Sequence, residues 1–261
     1  GNQRRYAITR VLDHWSTVKP AYRVTLEDGT DLVTSGDHRF LTNHGWKYVS
    51  GSHQGRYHQL CLRPGDKLLG TGRFTAPPVG GPEYRRGYLC GMIRGDGHLG
   101  SYSYERPGRA NGDVHRFRLA LTDLEALRRA RRYLAEVDVP TDEFLFQEAV
   151  GVRKRLNAIR NSSYRGVTAI QEIIAWPHAP SAEWSKGFLA GIFDAEGSCR
   201  NNGGFRIANT DQVIIEQVTS GLRRFGFPFS TNIRPQGNKP LTSVWLQGGL
   251  RERLRYFQMV D

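Results

Sequence analysis

Short alternating runs of apolar and polar residues fill the first 70 positions and predict a small β-rich segment. Tyr22-Arg-Val-Thr-Leu26 alternates, Glu27-Asp-Gly-Thr30 reads as a hairpin turn, and Asp31-Leu-Val-Thr34 returns. Arg39-Phe-Leu-Thr42 and Trp46-Lys-Tyr-Val49 read as further strands around Asn43-His-Gly45, and Leu60 to Leu69 as a turn before another strand. Residues 71–83 (TGRFTAPPVGGPE) have no apolar period and read as a linker.

From Tyr84 the pattern changes to helices alternating with strand pairs. Gly87-Tyr-Leu-Cys-Gly-Met-Ile-Arg-Gly-Asp-Gly97 is echoed position for position by Gly187-Phe-Leu-Ala-Gly-Ile-Phe-Asp-Ala-Glu-Gly197. Each copy is a small, apolar helix that ends in one carboxylate beside a glycine. The repeat continues: Arg116-Phe-Arg-Leu-Ala-Leu-Thr-Asp123 parallels Gly204-Phe-Arg-Ile-Ala-Asn-Thr-Asp211. The spacing between copies shrinks across a hairpin tip around Tyr102 to Val114, where an insertion is easily carried. Thr122 is placed to cap the next helix, with Glu125 completing a capping box. Leu124, Leu127, Ala130, Leu134 and Val137 make its apolar stripe, as Val213, Ile214, Val218 and Leu222 do in the second copy. The last helices are expected at Thr168 to Trp176 and about Leu250 to Phe257. Each half reads α-β-β-α-β-β-α, so the chain divides into residues 1–70, a linker 71–83, and halves 84–180 and 181–261, the halves forming a pseudo-dimer.

Gly87 and Gly91, like Gly187 and Gly191, are four apart and share one helix face, which permits close backbone approach. The most economical partner for each phrase is the other phrase. Two parallel helices in contact would bring Asp96 and Glu196 side by side. Such a pair repels unless a cation lies between the two acids. Mg2+ suits it, because it takes oxygen ligands and keeps its waters.

Charge agrees with this chemistry. The formal net charge is +12, and of 37 basic residues only six are lysine. Arginine binds phosphate and guanine edges bidentately, so the excess favours nucleic acid. Cys61, Cys90 and Cys199 have no metal-site spacing, and Cys90 reads as a small packing residue opposite Ala190. No leader or membrane span is legible, so an intracellular protein, in cytoplasm or nucleoid, is expected.

The two phrases Leu89-Cys-Gly-Met-Ile-Arg-Gly-Asp-Gly97 and Leu189-Ala-Gly-Ile-Phe-Asp-Ala-Glu-Gly197 resemble the paired signatures of the LAGLIDADG homing endonucleases. The resemblance spans roughly Tyr84 to Asp261. It implies an α+β fold in which two αββαββα halves form a saddle of two antiparallel sheets over double-stranded DNA. It also implies a monomer that makes Mg2+-dependent double-strand breaks in a long, asymmetric target and leaves short 3′ overhangs, with Mn2+ able to substitute. Asp96 and Glu196 fall at the catalytic, metal-binding acids, preceded by Gly95 and Ala195 at the metal. Arg94 departs from the motif, which usually has an acid there; Asp194 keeps one. The family also places polar residues near the ends of the second and fourth strands. Asp123 and Asp211 fall near the first position, where they equally read as first-turn helix residues. Arg160 or Asn161, and Gln247, fall near the second, and Lys186 is a candidate phosphate contact. Alternate residues of the strands and their tips supply candidate DNA contacts. In the first half these are Tyr102, Tyr104, Arg116, Arg118, Arg153 and Arg155. In the second they are Arg200, Asn202, Arg206, Arg234, Gln236 and Lys239.

Thr34-Ser-Gly-Asp-His-Arg-Phe40, with Leu62-Arg-Pro-Gly-Asp-Lys-Leu68 downstream, resembles a block of intein (Hint) splicing domains. That resemblance implies an acyl-shift role for His38. A structural or DNA-contacting role for the segment is the competing expectation. Beside the endonuclease, two alternatives stay open: a maturase or regulator that binds nucleic acid on the same scaffold, and a fragment of a splicing intein.

Overall fold

The computed structural model describes residues 10–27, 29–50, 60–70, 76–105, 108, 112–199, 204–235, 237 and 239–260. The chain separates into two compact units, Gly1–Arg73 and Phe74–Asp261.

The first unit holds two hairpins. Strands β1 (Ala21–Thr25) and β2 (Asp31–Ser35) pair antiparallel, as do β3 (Arg39–Thr42) and β4 (Gly45–Tyr48). The expected strand near Leu60 to Leu69 is reduced to single bridges, Tyr48 with Cys61 and Thr42 with Leu68. Lys47 and Asp66 tie that segment to β4 with a 2.6 Å ion pair, which lowers the Asp66 pKa. His38 is exposed and lies against the ring of Phe40 at 4.8 Å. Among the described residues, every buried hydrophobic of the protein lies at Tyr84 or beyond.

The second unit is built twice. The first copy runs α1 (Pro82–Asp96), β5 (Gly97–Ser103), β6 (Asp113–Leu121), α2 (Leu124–Ala135), β7 (Asp142–Gln147), β8 (Leu156–Asn161) and α3 (Tyr164–Ile173). The second runs α4 (Ala182–Glu196), β9 (Gly197–Cys199), β10 (Phe205–Asn209), α5 (Gln212–Arg224), β11 (Phe229–Arg234), β12 (Leu241–Leu246) and α6 (Gly249–Val260). The sheets have the same order, β5-β6-β8-β7 and β9-β10-β12-β11, and every neighbouring pair is antiparallel. This is the α+β, αββαββα duplication that the repeat predicts.

Alternation sorts each sheet into two faces. Phe117 and Leu119, like Phe205 and Ile207, are buried in the core shared with the helices. Arg116 and Arg118, like Arg206, alternate with them and so belong to the opposite face. In α2, Leu127, Ala130 and Leu134 are buried as expected, but Leu124 and Val137 are exposed and Ala126 and Tyr133 take their places.

Several boundaries move for local reasons. The cap of α2 is Asp123 and not Thr122: its carboxylate accepts from the backbone N–H of Glu125 and Ala126. Asp211 caps α5 in the same way, through Val213. An ionised carboxylate at a helix N-terminus gains from both the free N–H groups and the dipole, so it displaces the neighbouring hydroxyl. Helix α3 starts at Tyr164, four residues earlier than expected, because Ser163 caps it through the N–H of Gly166. The final helix extends to Val260, where Tyr84 in α1 donates a hydrogen bond to the Val260 carbonyl. The segment before α1 is pinned and does not hang free. The Val79 N–H donates to Glu183 at 2.8 Å, and Lys186 Nζ donates to the Pro77 carbonyl at 3.1 Å.

Candidate metal centre and nucleic-acid interface

Helices α1 and α4 form the seam between the halves. A methyl group added to Gly87 would collide with the Trp184 carbonyl, and one on Gly187 with the Tyr84 carbonyl. Gly91 lies equally close to the backbone of Phe188 and Ile192, and Gly191 to that of Tyr88. All four positions would bring Cβ within 3.0 Å of main-chain atoms, which no rotamer change can relieve. Going up one helix meets successively later residues of the other, so the helices run parallel. The next step of the ladder is Gly95 against Ala195, with Glu196 Cγ beside it. Asp96 and Glu196 therefore emerge together at the same end of the seam.

Both acids feel this placement. Burial raises the Asp96 pKa above the usual carboxylate range. Burial also raises that of Glu196, and the nearby charge of Asp96 raises it further. One hydrogen bond acts against this: Asn209 Nδ2 donates to Glu196 Oε1 at 3.0 Å. Asn209 ends β10, while its counterpart in the first half is Leu121, the buried end of β6. The polar residue beside an acid is thus Asn209, two positions before Asp211. The sequence did carry the clue: Asn209 is a polar replacement of leucine within an otherwise matching repeat.

The remaining expectations divide. Asp123 and Asp211 are spent on helix caps. Lys186 is not a phosphate contact: it is buried and bonded to Glu183 at 2.8 Å, near the far end of α4 from Glu196. Asn161 is also committed, donating to the Pro140 carbonyl and accepting from Ser163. Arg160 lies on the outer sheet face, its guanidinium 5.0 Å from the Phe144 ring. Gln247 donates to Ser230 Oγ at 2.9 Å. Of the candidate DNA contacts, Tyr102, Tyr104, Arg116, Arg153, Arg155, Arg234 and Lys239 are exposed, and Arg118 and Arg206 are half-buried. Arg200, Asn202 and Gln236 lie outside the described residues.

The mismatch inside the repeated phrase has a structural partner. Tyr88 Oη donates to Asp194 Oδ2 at 2.7 Å across the seam. At the two equivalent positions stand Phe188, which has no hydroxyl, and Arg94. Arg94 Nε instead donates to the Ile174 carbonyl at 2.9 Å, with its guanidinium 4.1 Å over Trp176. The acid is kept where the facing ring can donate and replaced where it cannot. Tyr88→Phe should therefore fit sterically, as Phe188 does, yet cost about 1 kcal/mol by leaving Asp194 without its donor. Urea melts would show it; an unchanged midpoint would mean the hydrogen bond contributes nothing.

The raised acid pKa values carry a stability consequence. A carboxyl whose folded pKa lies above its unfolded one stabilises the fold most below the unfolded value, and loses that contribution as pH rises through the folded value. Near neutral pH the ionised pair opposes folding. Asp96→Asn combined with Glu196→Gln should thus melt above the native chain in EDTA, with about 2–4 °C gained per kcal/mol relieved. The excess should vanish below about pH 4, where the native acids are themselves protonated. A variant that melts lower at neutral pH would show that the acids do not repel.

Residues 183–258 match the LAGLIDADG-like domain. That match covers α4 to α6, the second of the two copies. Solved structures align over about two thirds of the chain. The structure of I-DmoI in complex with DNA and Ca aligns at TM-score 0.53 and 18% identity, over 67% of this chain and 87% of that one. The complex of I-DmoI with DNA and Mn gives TM-score 0.54 and 18% identity, over 69% and 98%. The N-terminal LAGLIDADG domain of DUF199/WhiA gives 0.50 and 14%, over 70% and 84%. These likenesses show the fold. The search of curated proteins finds no match.

Among the described residues no three His, Cys, Asp or Glu side chains cluster as a metal cage. Two carboxylates suit an ion that retains water and takes further ligands from a phosphate substrate, which is how Mg2+ is usually held. Among the described residues no helix is long and apolar enough to cross a membrane.

Proposed function

We propose that this chain is a site-specific DNA endonuclease that cuts both strands of a long, asymmetric target, leaving short 3′ overhangs. The observation that carries the reading is the meeting of Asp96 and Glu196 at the end of the glycine seam, between two sheets whose outer faces bear arginine. Asp96 and Glu196 would hold a divalent cation, Mg2+ or Mn2+, with the main chain at Gly95 and Ala195 beside it. That ion would lower the pKa of a bound water and stabilise charge on the phosphate and the leaving oxygen. The chain's own residues do the rest. The seam fixes the separation of the acids, Asn209 orients the Glu196 carboxylate, and the sheet faces hold the duplex in register. The solved I-DmoI complexes with DNA and Ca or Mn support both the partner and the ion class.

A maturase or regulator that binds without cutting is the competing reading, and the fold alone suits it equally. The placement of both acids at one end of the seam favours cleavage. The first unit we read as an intein-like remnant that extends the DNA contact and not as a splicing element. Incubating the full chain with a randomised duplex library, with Mg2+ and with EDTA, tests the assignment. Mg2+-dependent ends sharing one sequence are expected; recovery of bound but never cut duplex would leave the binding module standing instead.

A further inference from the structure

Arg118 and Arg206 occupy equivalent positions in the two sheets, and each sits in the first basic row beyond an acid. In the first half the cross-strand row on the outer face is His98, Arg118, Arg160, Asp142. In the second it is Ser198, Arg206, Trp245, Ser230. His98 and Ser198 each follow their acid by two residues. The Arg118 guanidinium lies 4.4 Å from the Phe146 ring, that of Arg160 5.0 Å from Phe144, and that of Arg206 5.6 Å from Trp245. Arg118 and Arg160 are direct cross-strand neighbours. Like charges in that relation cost stability. Among the ion pairs seen between described residues, none involves Arg118, Arg160 or Arg206. Among the described residues the buried Arg206 Nε also has no acceptor.

The aromatic contacts decide what these groups suit. A phosphate anchor needs only a charge at the right distance, which a mobile side chain provides. A guanidinium held over an aromatic ring by a cation–π contact is restrained, which favours the bidentate recognition of guanine O6 and N7. A strand pair also fits the major groove, where those atoms lie.

We propose that Arg118 and Arg206 each read one guanine, at matched positions on either side of the cleavage centre, and that Arg160 reads a further guanine in the first half-site only. Trp245 stands where Arg160 would be in the second half, so no second guanine is read there. The target is asymmetric overall but contains one symmetric pair of G·C base pairs at its inner edge. This inference rests on the DNA-cleaving reading above.

The test is binding selection of the full chain on a randomised duplex pool in Ca2+, followed by competition with single-base variants of the winning duplex. The native chain should select guanine at two mirrored inner positions. Arg118→Gln should lose roughly ten- to hundredfold of the discrimination at one of them and Arg206→Gln at the other. Arg160→Gln should relax a separate position on the first side alone. Thermal melts matching the native chain would exclude misfolding, and the untouched half-site serves as an internal control in each variant. Variants that weaken all duplexes equally, with base preferences intact, would make these arginines phosphate contacts and overturn the proposal. A selected sequence without the mirrored guanines would also overturn it while leaving the nuclease reading in place. Selection of no sequence at all would sink both.

Discussion

Asp96→Asn combined with Glu196→Gln will abolish strand cleavage while leaving the duplex bound. The substitutions keep the shape of both side chains and remove the two charges on which a divalent ion would depend. Loss of that ion forfeits several kcal/mol of transition-state stabilisation, so cleavage should fall by roughly a thousandfold or more. DNA affinity, carried by the sheet faces, should not fall. The two halves of the result must be measured on one preparation, by single-turnover cleavage in Mg2+ and by gel shift in Ca2+. Melting adds an independent readout: Mg2+ should raise the melting temperature of the native chain, because ligands that bind only the folded state stabilise it, and should leave the variant unmoved. Cleavage that survives the double substitution would remove these acids from the chemistry.

The second large effect is structural. Gly187→Ala or Gly87→Ala should destabilise the protein by about 3 kcal/mol or more, the upper range for overpacking. The added methyl group would meet the Tyr84 or the Trp184 carbonyl, and a main-chain atom inside a helix cannot step aside. The helices must separate, which also pulls Asp96 from Glu196. Gly95→Ala is the graded control: its new methyl group would face the Ala195 side chain and not the backbone. It should cost less in the melt but still reduce cleavage. Each kcal/mol corresponds to about 2–4 °C in a domain of this size. A Gly187→Ala protein that melts with the native chain would mean that the seam is looser than the structure has it.

The helix seam was legible because its chemistry is local. Glycines four apart mark a face, and an acid at the end of each copy of one phrase marks a place. The strand pairs and their α+β order followed from alternation and from the repeat at Arg116 and Gly204. Polar partners are less legible in sequence. Asp123 and Asp211 resemble site residues in sequence, but helix starts claim them, since free N–H groups two and three residues ahead are always within reach. Lys186 looked available for phosphate, but the pinned segment at Pro77 gave it a buried acceptor. Asn209 differs from Leu121 in the repeat, but its significance lies in the Glu196 carboxylate that it touches.

The sequence by itself determined that the chain from Tyr84 onward is two copies of one αββαββα unit, and that each copy carries one acid at a helix end. Those facts are periodic and short-range, and one chain displays them twice. Only the tertiary structure decided that the acids are unequal, with Asn209 beside Glu196 and Leu121 in the matching place. It alone set Tyr88 against Asp194 and brought Arg118, Arg160 and Arg206 within cation–π distance of aromatic rings. Each of those pairings joins residues from different helices or strands. Whether a polar group is free or already bonded depends on which element folds against it, and no window of sequence contains that neighbour.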